Sequence, residues 1–327
     1  MPGIFSLDDN FIETVEYLTE LRTKLRSSIP ESKIAKAITR RARRHILSYN
    51  DFSTINKISP AAALVLAAEF DRWRIQANTK LFTVNERFWK PEVLSVLYAL
   101  GFHELLDMRP PGPHAAEIGT LRILRFSSGD QAEGEYAGTL QDSLAILLPE
   151  DDAERLLYIE PYAGIFEAIL NSRSWAYPEN FDWEHEPVRR WWITGAVDSS
   201  KRQVTVVAYD QGISIPVSLP RWKHYGRFQQ TMQRIASRYG LAAPFGDPSY
   251  DGTAIRLAMD IARTATDMKQ HGKGLHTMRE VAERATHGRL RILSRAGEYV
   301  WETGRKPLAR NHPLSIGGTL IEWQLQL

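Results

Sequence analysis

The sequence predicts an α/β (α+β) protein, in which a small α/β domain precedes a two-layer α/β sandwich. Strand-like and helix-like patterns alternate between residues 51 and 100, which is typical of a compact α/β unit. Further along, apolar residues at helical spacing over residues 140–170 give way to alternating strand patterns from residue 186. Arg-Pro-Pro-Gly-Pro-His at residues 109–114 separates the two parts and has the composition of an extended linker.

Two helices are expected before the first strand. Asp8 and Asp9 can cap a helix that starts near Asn10. The apolar face of this helix recurs at three- and four-residue spacing in Phe11, Val15, Leu18, Leu21 and Leu25. Residues 31–47 predict a second helix with a basic cluster formed by Lys33, Lys36, Arg40, Arg41, Arg43 and Arg44. Such a cluster can meet phosphate groups or an acidic partner, and a solvated helix face is the simpler interpretation.

Three parts are therefore expected: a helical segment at residues 1–48, the small domain with the linker at residues 49–114, and the sandwich at residues 115–327. Within the small domain, Pro60 suits the first turn of a helix and Gly101 suits the end of another. The predicted elements are a strand at 51–58, a helix at 61–76, a strand at 79–84 and a helix at 92–100.

Residues 50–108 resemble a STAS domain, the fold of anti-sigma-factor antagonists. The resemblance is carried by Ile58-Ser59-Pro60-Ala61-Ala62-Ala63-Leu64 and by Leu100-Gly101-Phe102. It implies a small α/β domain with a regulatory serine at the start of a helix. In this chain Pro60 stands at the matching position and Ser59 lies one place earlier, so a phosphoserine switch is not expected.

The sandwich is expected to contain helices and two groups of strands. Its predicted helices lie at residues 140–148, 153–170, 227–239, 254–266 and 277–285. Its predicted strands lie at residues 121–126, 188–197, 203–209, 290–294, 299–303 and 319–326, with a loop at 127–138.

Composition excludes several classes of protein. The 327 residues include no cysteine, which excludes disulfides, thiolate nucleophiles and cysteine metal sites. The net charge of +2 gives no support to nucleic acid as a partner, although the basic cluster leaves that option open. Residues 1–10 lack the features of a signal peptide, and no apolar stretch reaches the roughly 20 residues of a membrane helix. We therefore expect a cytoplasmic protein with no membrane association.

Two short motifs carry candidate chemistry. Glu167 and Asn171 are four residues apart in a helical run, so their side chains point the same way. An asparagine oxygen suits Mg²⁺, and a neighbouring carboxylate can activate a water for attack on a phosphate. Asp210 ends a strand pattern, where its carboxylate can accept a hydrogen bond from an exocyclic amine such as that of adenine. Gly212 lets the backbone turn and a flat base approach.

A third motif, Gly272-Lys273-Gly274-Leu275, precedes the helix predicted at residue 277. Its glycines offer unhindered backbone N–H groups at a helix start, which is a natural anion cradle. Lys273 adds positive charge, as does Lys269.

In this order the three motifs, followed by a closing strand with Gly318-Thr319, resemble the GHKL ATPase superfamily of gyrase-type ATPases, Hsp90-like chaperones, MutL-like proteins and histidine kinases. The resemblance covers residues 140–327 and implies ATP held between helices and sheet. It implies that Asn171 binds Mg²⁺, that Glu167 is the general base and that Asp210 binds the adenine amine. The implied supporting residues are Gly212, Gly272, Lys273, Gly274 and Leu275 around the nucleotide and Thr319 beside Asp210.

This chain departs from the family pattern where Ser214, which the resemblance places among the nucleotide-binding residues, replaces the second glycine of Asp-x-Gly-x-Gly. Three functions stay open. The first is an Mg-ATP-hydrolysing regulatory protein whose nucleotide state controls a lid and association with a protein partner or a second copy. The second is a serine/threonine-type kinase related to anti-sigma factors. The third is a nucleotide-gated interaction module without turnover.

Overall fold

The computed structural model describes residues 1–28, 46–76, 79–109, 119–221, 230, 247–264 and 274–327. Several predictions lie outside these ranges. They are the basic cluster at residues 33–44, linker residues 110–114, the helix at 227–239, and Lys269, Gly272 and Lys273 of the glycine motif. The chain divides into two compact units: Met1–Phe126 with Asp182–Val188 (unit 1), and Ser127–Phe181 with Arg189–Leu327 (unit 2).

Unit 1 is an α/β unit that contains two pairs of parallel strands. Its elements are β1 (Ile4–Phe5), α1 (Phe11–Ser28), β2 (Ile46–Asn50), β3 (Lys57–Ile58), α2 (Pro60–Gln76), β4 (Thr79–Thr83), α3 (Pro91–Leu100), α4 (Phe102–Leu105) and β5 (Leu121–Ile123). Strand β1 pairs with β3 and β2 pairs with β4, both in parallel.

Local signals placed α1, α2, β4 and α3 correctly, whereas the helix predicted to reach residue 47 is wrong at its end, because β2 begins at Ile46. All five apolar residues predicted for the inner face of α1 are buried. Pro60 starts α2, where the Ser59 hydroxyl accepts a hydrogen bond from the Ala62 N–H at 3.3 Å. Gly101 ends α3 with φ 89°, a left-handed conformation that favours glycine.

The strand predicted at residues 51–58 is wrong except at Lys57–Ile58. Asp51 turns the chain instead, because its carboxylate accepts the Ser53 N–H at 2.9 Å and the Asn85 amide at 2.8 Å. A hydrogen bond from the Asn85 side chain is the main cause that lowers the pKa of Asp51.

Unit 2 combines helices with an antiparallel sheet, as the α+β prediction requires. Its elements are β6 (Ser127–Gly129), α5 (Gly134–Ile146), α6 (Glu150–Ile159), α7 (Pro161–Asn171), β7 (Trp191–Asp198), β8 (Gln203–Asp210), α8 (Ile215–Ser218), α9 (Asp251–Thr264), α10 (Gly274–Arg284), β9 (His287–Ser294), β10 (Gly297–Glu302), β11 (Leu308–Asn311) and β12 (Thr319–Gln326). The strand order is β11-β10-β9-β12-β8-β7, and β6 also pairs with β7. The loop predicted at residues 127–138 is wrong, because β6 and the start of α5 lie there.

The helices α7 and α10 pack on one face of this sheet. Trp323 on β12 donates its indole N–H to the Met278 carbonyl of α10 at 2.7 Å. A Cβ at Gly164 of α7 would lie 3.1 Å from the Trp323 ring, so glycine permits the close approach of helix and sheet. Among the described helices, none has both the length and the apolar composition needed to cross a bilayer.

Candidate functional site

The sheet register brings the ends of three strands together beside the helices. Thr319, the first residue of β12, pairs with Asp210 at the end of β8 and with Ser294 at the end of β9. Residues two apart on a strand share a face, so these three side chains lie on the same face as Trp323, which contacts α10. The polar strand ends therefore face the helical layer.

A pocket of about 450 Å³, solvent mouth included, opens between these strand ends, α7, α8 and α10. Its lining combines five of the residues singled out from the sequence with an apolar wall. The lining residues are Ala168, Asn171, Trp175, Ala176, Asp210, Ser214, Ile215, Ser218, Leu275, Thr319 and Ile321.

Asp210 is the buried acid of this pocket, with 9% of its surface exposed. Its Oδ1 accepts the Gly212 N–H at 2.8 Å, and the Thr319 backbone N–H also bonds the carboxylate. Burial nevertheless raises the pKa of Asp210 to about 7, and these two hydrogen bonds only partly oppose the rise. The carboxylate keeps acceptor capacity for a ligand, because an ionised carboxylate has about four lone-pair sites.

A chain of hydroxyls supports this end of the sheet. The Ile215 N–H donates to Ser294 Oγ at 2.8 Å, and Ser294 Oγ lies 2.9 Å from Thr319 Oγ1. If Ser294 donates its proton to Thr319, the Thr319 hydroxyl keeps its own proton for a group in the pocket. Ser294 thus joins β9, β12 and the segment after β8 at the pocket wall.

The segment that follows Asp210 is held against the turn that follows α7. The Ile213 N–H donates to the Ala176 carbonyl at 2.9 Å, and the Gln211 N–H donates to the Tyr177 hydroxyl at 2.9 Å. Tyr177 in turn donates to the Arg190 carbonyl just before β7. These bonds fix the backbone between Asp210 and Ser214.

Gly212 packs closely against Ala176 and is absent from the pocket lining. Its predicted place beside a base stays a prediction. A Cβ on Gly212 would lie 2.3 Å from Ala176 Cβ and 2.7 Å from the Ala176 carbonyl oxygen. Position 212 therefore requires glycine, because any larger residue would prevent its backbone from packing closely on Ala176.

Gly212→Ala is expected to lower the free energy of unfolding by about 2–3 kcal/mol, because the clash is with backbone atoms that cannot rotate away. Chemical denaturation monitored by tryptophan fluorescence measures the change. Gly138→Ala is the matched control: it lies inside α5 and its Cβ would meet only Tyr162 Cδ2, at 4.0 Å. Gly138→Ala should raise the free energy of unfolding by about 0.5–1 kcal/mol, because alanine is the better helix former. Equal effects of the two variants would contradict the packing argument.

Glu167 and Asn171 meet the first residue of α10. A Cβ on Gly274 would lie 2.5 Å from Glu167 Oε2 and 3.3 Å from the Asn171 amide nitrogen. Glycine at this position therefore brings the described start of α10 against both side chains. Burial raises the pKa of Glu167, which moves it toward the range in which a carboxylate is an effective base.

Ser214 adopts a backbone conformation that usually needs glycine. Its φ of 80° and ψ of 159° lie in a region essentially reserved for glycine, at a cost of about 1–3 kcal/mol. The residue is 5% exposed, and within the described part of the chain its hydroxyl has no hydrogen-bond partner. The backbone of Ser214 therefore has a glycine-type conformation, although the side chain at this position of the Asp-x-Gly-x-Gly pattern is serine.

Comparisons of the chain with protein-family models, curated proteins and solved structures find no match. Its function must therefore be inferred from the pocket itself. The described residues contain no group of three or more His, Asp or Glu side chains that could hold a metal. A magnesium ion bound mainly through phosphate oxygens needs no such group.

Sequence reasoning missed several residues of the site. Trp175, Ala176, Ser218 and Ile321 line the pocket without belonging to any motif. Ser294 had a usable signal, because it ends a predicted strand that pairs with the strand beginning at Thr319.

Proposed function

We propose that unit 2 binds Mg-ATP in this pocket and hydrolyses it, as a two-layer sandwich of the GHKL ATPase type. The observation that carries the proposal is that Asn171, Asp210 and Thr319, from three separate elements, line one pocket. These are the residue types that an adenine amine and a phosphate-bound magnesium ion require. A mostly apolar lining with a few polar groups is typical of small-molecule sites.

The residues fit the ligand in two regions of the pocket. The adenine would lie at the Asp210 end, where the buried carboxylate accepts from its amine and Trp175 and Ile321 supply apolar surface. The phosphates would lie toward Gly274 at the start of α10, where backbone N–H groups attract anions. Asn171 would then contribute an oxygen ligand to magnesium between the helix and the phosphates.

The bound magnesium ion would neutralise charge that develops on the phosphates. Glu167 lies one helical turn before Asn171 and against Gly274, which places a carboxylate beside the region assigned to the phosphates. Partial burial favours its accepting a proton from an attacking water, because its pKa is raised. This base favours hydrolysis over binding alone.

Two alternatives share the same ATP pocket. A serine/threonine-type kinase would use Glu167 on a protein hydroxyl, with the STAS-like residues 50–108 as its regulatory part. A nucleotide-gated interaction module would bind ATP without turnover. Phosphate release identifies the ATPase, transfer of labelled phosphate to protein identifies the kinase, and tight binding with neither identifies the module. The proposal also includes a cytoplasmic location and a partner, which is either another protein or a second copy of this chain.

Isothermal titration with Mg-ATP tests the site. Asp210→Ala is expected to weaken binding at pH 8 by about tenfold to a hundredfold, because it removes a charge-assisted hydrogen bond. Asp130→Ala is the control, since Asp130 is an exposed carboxylate of the same unit. Equal affinity of the parent and Asp210→Ala would show that the nucleotide lies elsewhere, and no binding by the parent would refute the proposal.

A further inference from the structure

Ser214 combines two features that a purely structural serine would not be expected to retain. Its backbone is strained in a glycine-type conformation, with φ 80° and ψ 159°. Its hydroxyl is buried yet lacks a hydrogen-bond partner among the described residues. Glycine would remove both costs, so the serine hydroxyl is expected to bond a group that the described residues do not supply.

The position of Ser214 indicates where that gain comes from. Ser214 and Asp210 line the same pocket and are joined by a segment whose backbone is tied to Ala176 and Tyr177. The backbone on the other side of Ser214 is fixed as well, because the Ile215 N–H bonds Ser294 Oγ at 2.8 Å. The backbone is therefore fixed on both sides of Ser214, and the hydroxyl can reach a partner in the pocket that Asp210 also lines by rotating about χ1.

The chemistry of a purine edge supplies the missing partner. Beside the exocyclic amine of adenine lies a ring nitrogen that has a lone pair and no proton. A carboxylate that accepts from the amine and a hydroxyl that donates to the ring nitrogen match this donor–acceptor pattern. Guanine presents the opposite pattern at these two positions, with a carbonyl oxygen and a ring N–H. An ionised carboxylate would face the guanine carbonyl unfavourably.

We propose that the Ser214 hydroxyl donates a hydrogen bond to the adenine ring nitrogen N1 while Asp210 accepts from the adjacent amine. This inference rests on the proposed nucleotide site. It makes Ser214 a specificity residue of the pocket, which completes recognition of the base edge that Asp210 begins. The glycine-type backbone is retained because it places the hydroxyl at that edge.

Two substitutions separate the effect of the Ser214 hydroxyl from the effect of the backbone strain. Ser214→Ala removes the hydroxyl and keeps the strained backbone, whereas Ser214→Gly removes both. Thermal denaturation should show Ser214→Gly to be more stable than Ser214→Ala, because only glycine relaxes the backbone. Both variants should nevertheless bind ATP about tenfold more weakly than the parent, as expected for the loss of one hydrogen bond.

Titration with 1-deaza-ATP, which lacks the ring nitrogen N1, identifies the partner atom. The parent should bind 1-deaza-ATP about tenfold more weakly than ATP. The two variants should bind both nucleotides with equal affinity, because the hydrogen bond is already lost. 7-Deaza-ATP, which keeps N1, is the control and should follow ATP in all three proteins.

The outcomes separate this inference from the proposed function. If the parent binds ATP and Ser214→Ala binds it as tightly, the hydroxyl is not a ligand group and the inference is overturned while the nucleotide site stands. If the variants bind ATP weakly but still discriminate against 1-deaza-ATP, the hydroxyl acts elsewhere and the inference is likewise overturned. If the parent binds no ATP, the nucleotide site and the inference fail together.

Discussion

Glu167→Gln is expected to reduce the rate of ATP hydrolysis by about a hundredfold to ten-thousandfold, the contribution typical of a positioned general base. The Glu167 carboxylate packs so closely on Gly274 that a Cβ on residue 274 would not fit. Glutamine has nearly the same shape as glutamate and keeps this packing. It cannot take a proton from an attacking water. Affinity for Mg-ATP should therefore change by less than about threefold, and the loss should appear in turnover.

Phosphate release under saturating Mg-ATP measures this effect, and calorimetry on the same samples measures affinity. Glu283→Gln is the matched control, because Glu283 is a surface carboxylate of α10 that bonds Arg279 at 2.7 Å. It should hydrolyse ATP like the parent. Hydrolysis by Glu167→Gln at the parental rate would remove Glu167 from the chemistry. A parent that binds ATP without any phosphate release or transfer would favour the nucleotide-gated module.

The parts of the site that the sequence predicted are those marked by local chemistry. Asp210 ends an alternating strand, and the glycine pair before Thr319 marks where the last strand begins. The antiparallel register then places Thr319 opposite Asp210. Gly318 permits this approach, because a Cβ there would lie 1.8 Å from the Asp210 carbonyl oxygen. Strand ends and glycines are visible in a sequence because each imposes its own backbone requirement.

The parts that escaped prediction depend on contacts between distant residues. Tyr177 bonds Gln211, 34 positions away, and Ser294 bonds Ile215, 79 positions away. Neither contact leaves a periodic signal. Strand β11 was missed for a different reason: it is an edge strand with exposed or half-buried side chains, so it shows no apolar alternation. Side-chain anchors and edge strands are set by tertiary structure.

Asp210→Asn is expected to raise the free energy of unfolding at pH 8 by about 2–4 kcal/mol. The carboxyl has a usual pKa of 3.8, and burial raises it to about 7 in the fold. The folded protein therefore binds this proton more tightly than the unfolded chain does. The stability that the proton provides is complete below about pH 4, declines as the pH rises, and is lost above about pH 7. Asparagine is neutral throughout and avoids the loss.

Urea denaturation of the nucleotide-free protein between pH 4 and 8.5 tests this expectation. The stability difference between Asp210→Asn and the parent should grow with pH and level off above about pH 7. Asp130→Asn, which alters an exposed carboxylate of unit 2, should follow the parent at every pH. A difference independent of pH would mean that Asp210 is ionised in the fold throughout this range.

The same proton links stability to binding. An amine donates most strongly to an ionised carboxylate, so ATP must displace the proton that burial places on Asp210. Affinity of the parent for ATP should rise from pH 6 to pH 8, and calorimetry in buffers of different ionisation enthalpy should detect proton release. Asp210→Asn should show no release at this position. The buried acid that destabilises the empty fold near neutral pH is thus the group whose ionised form binds the base.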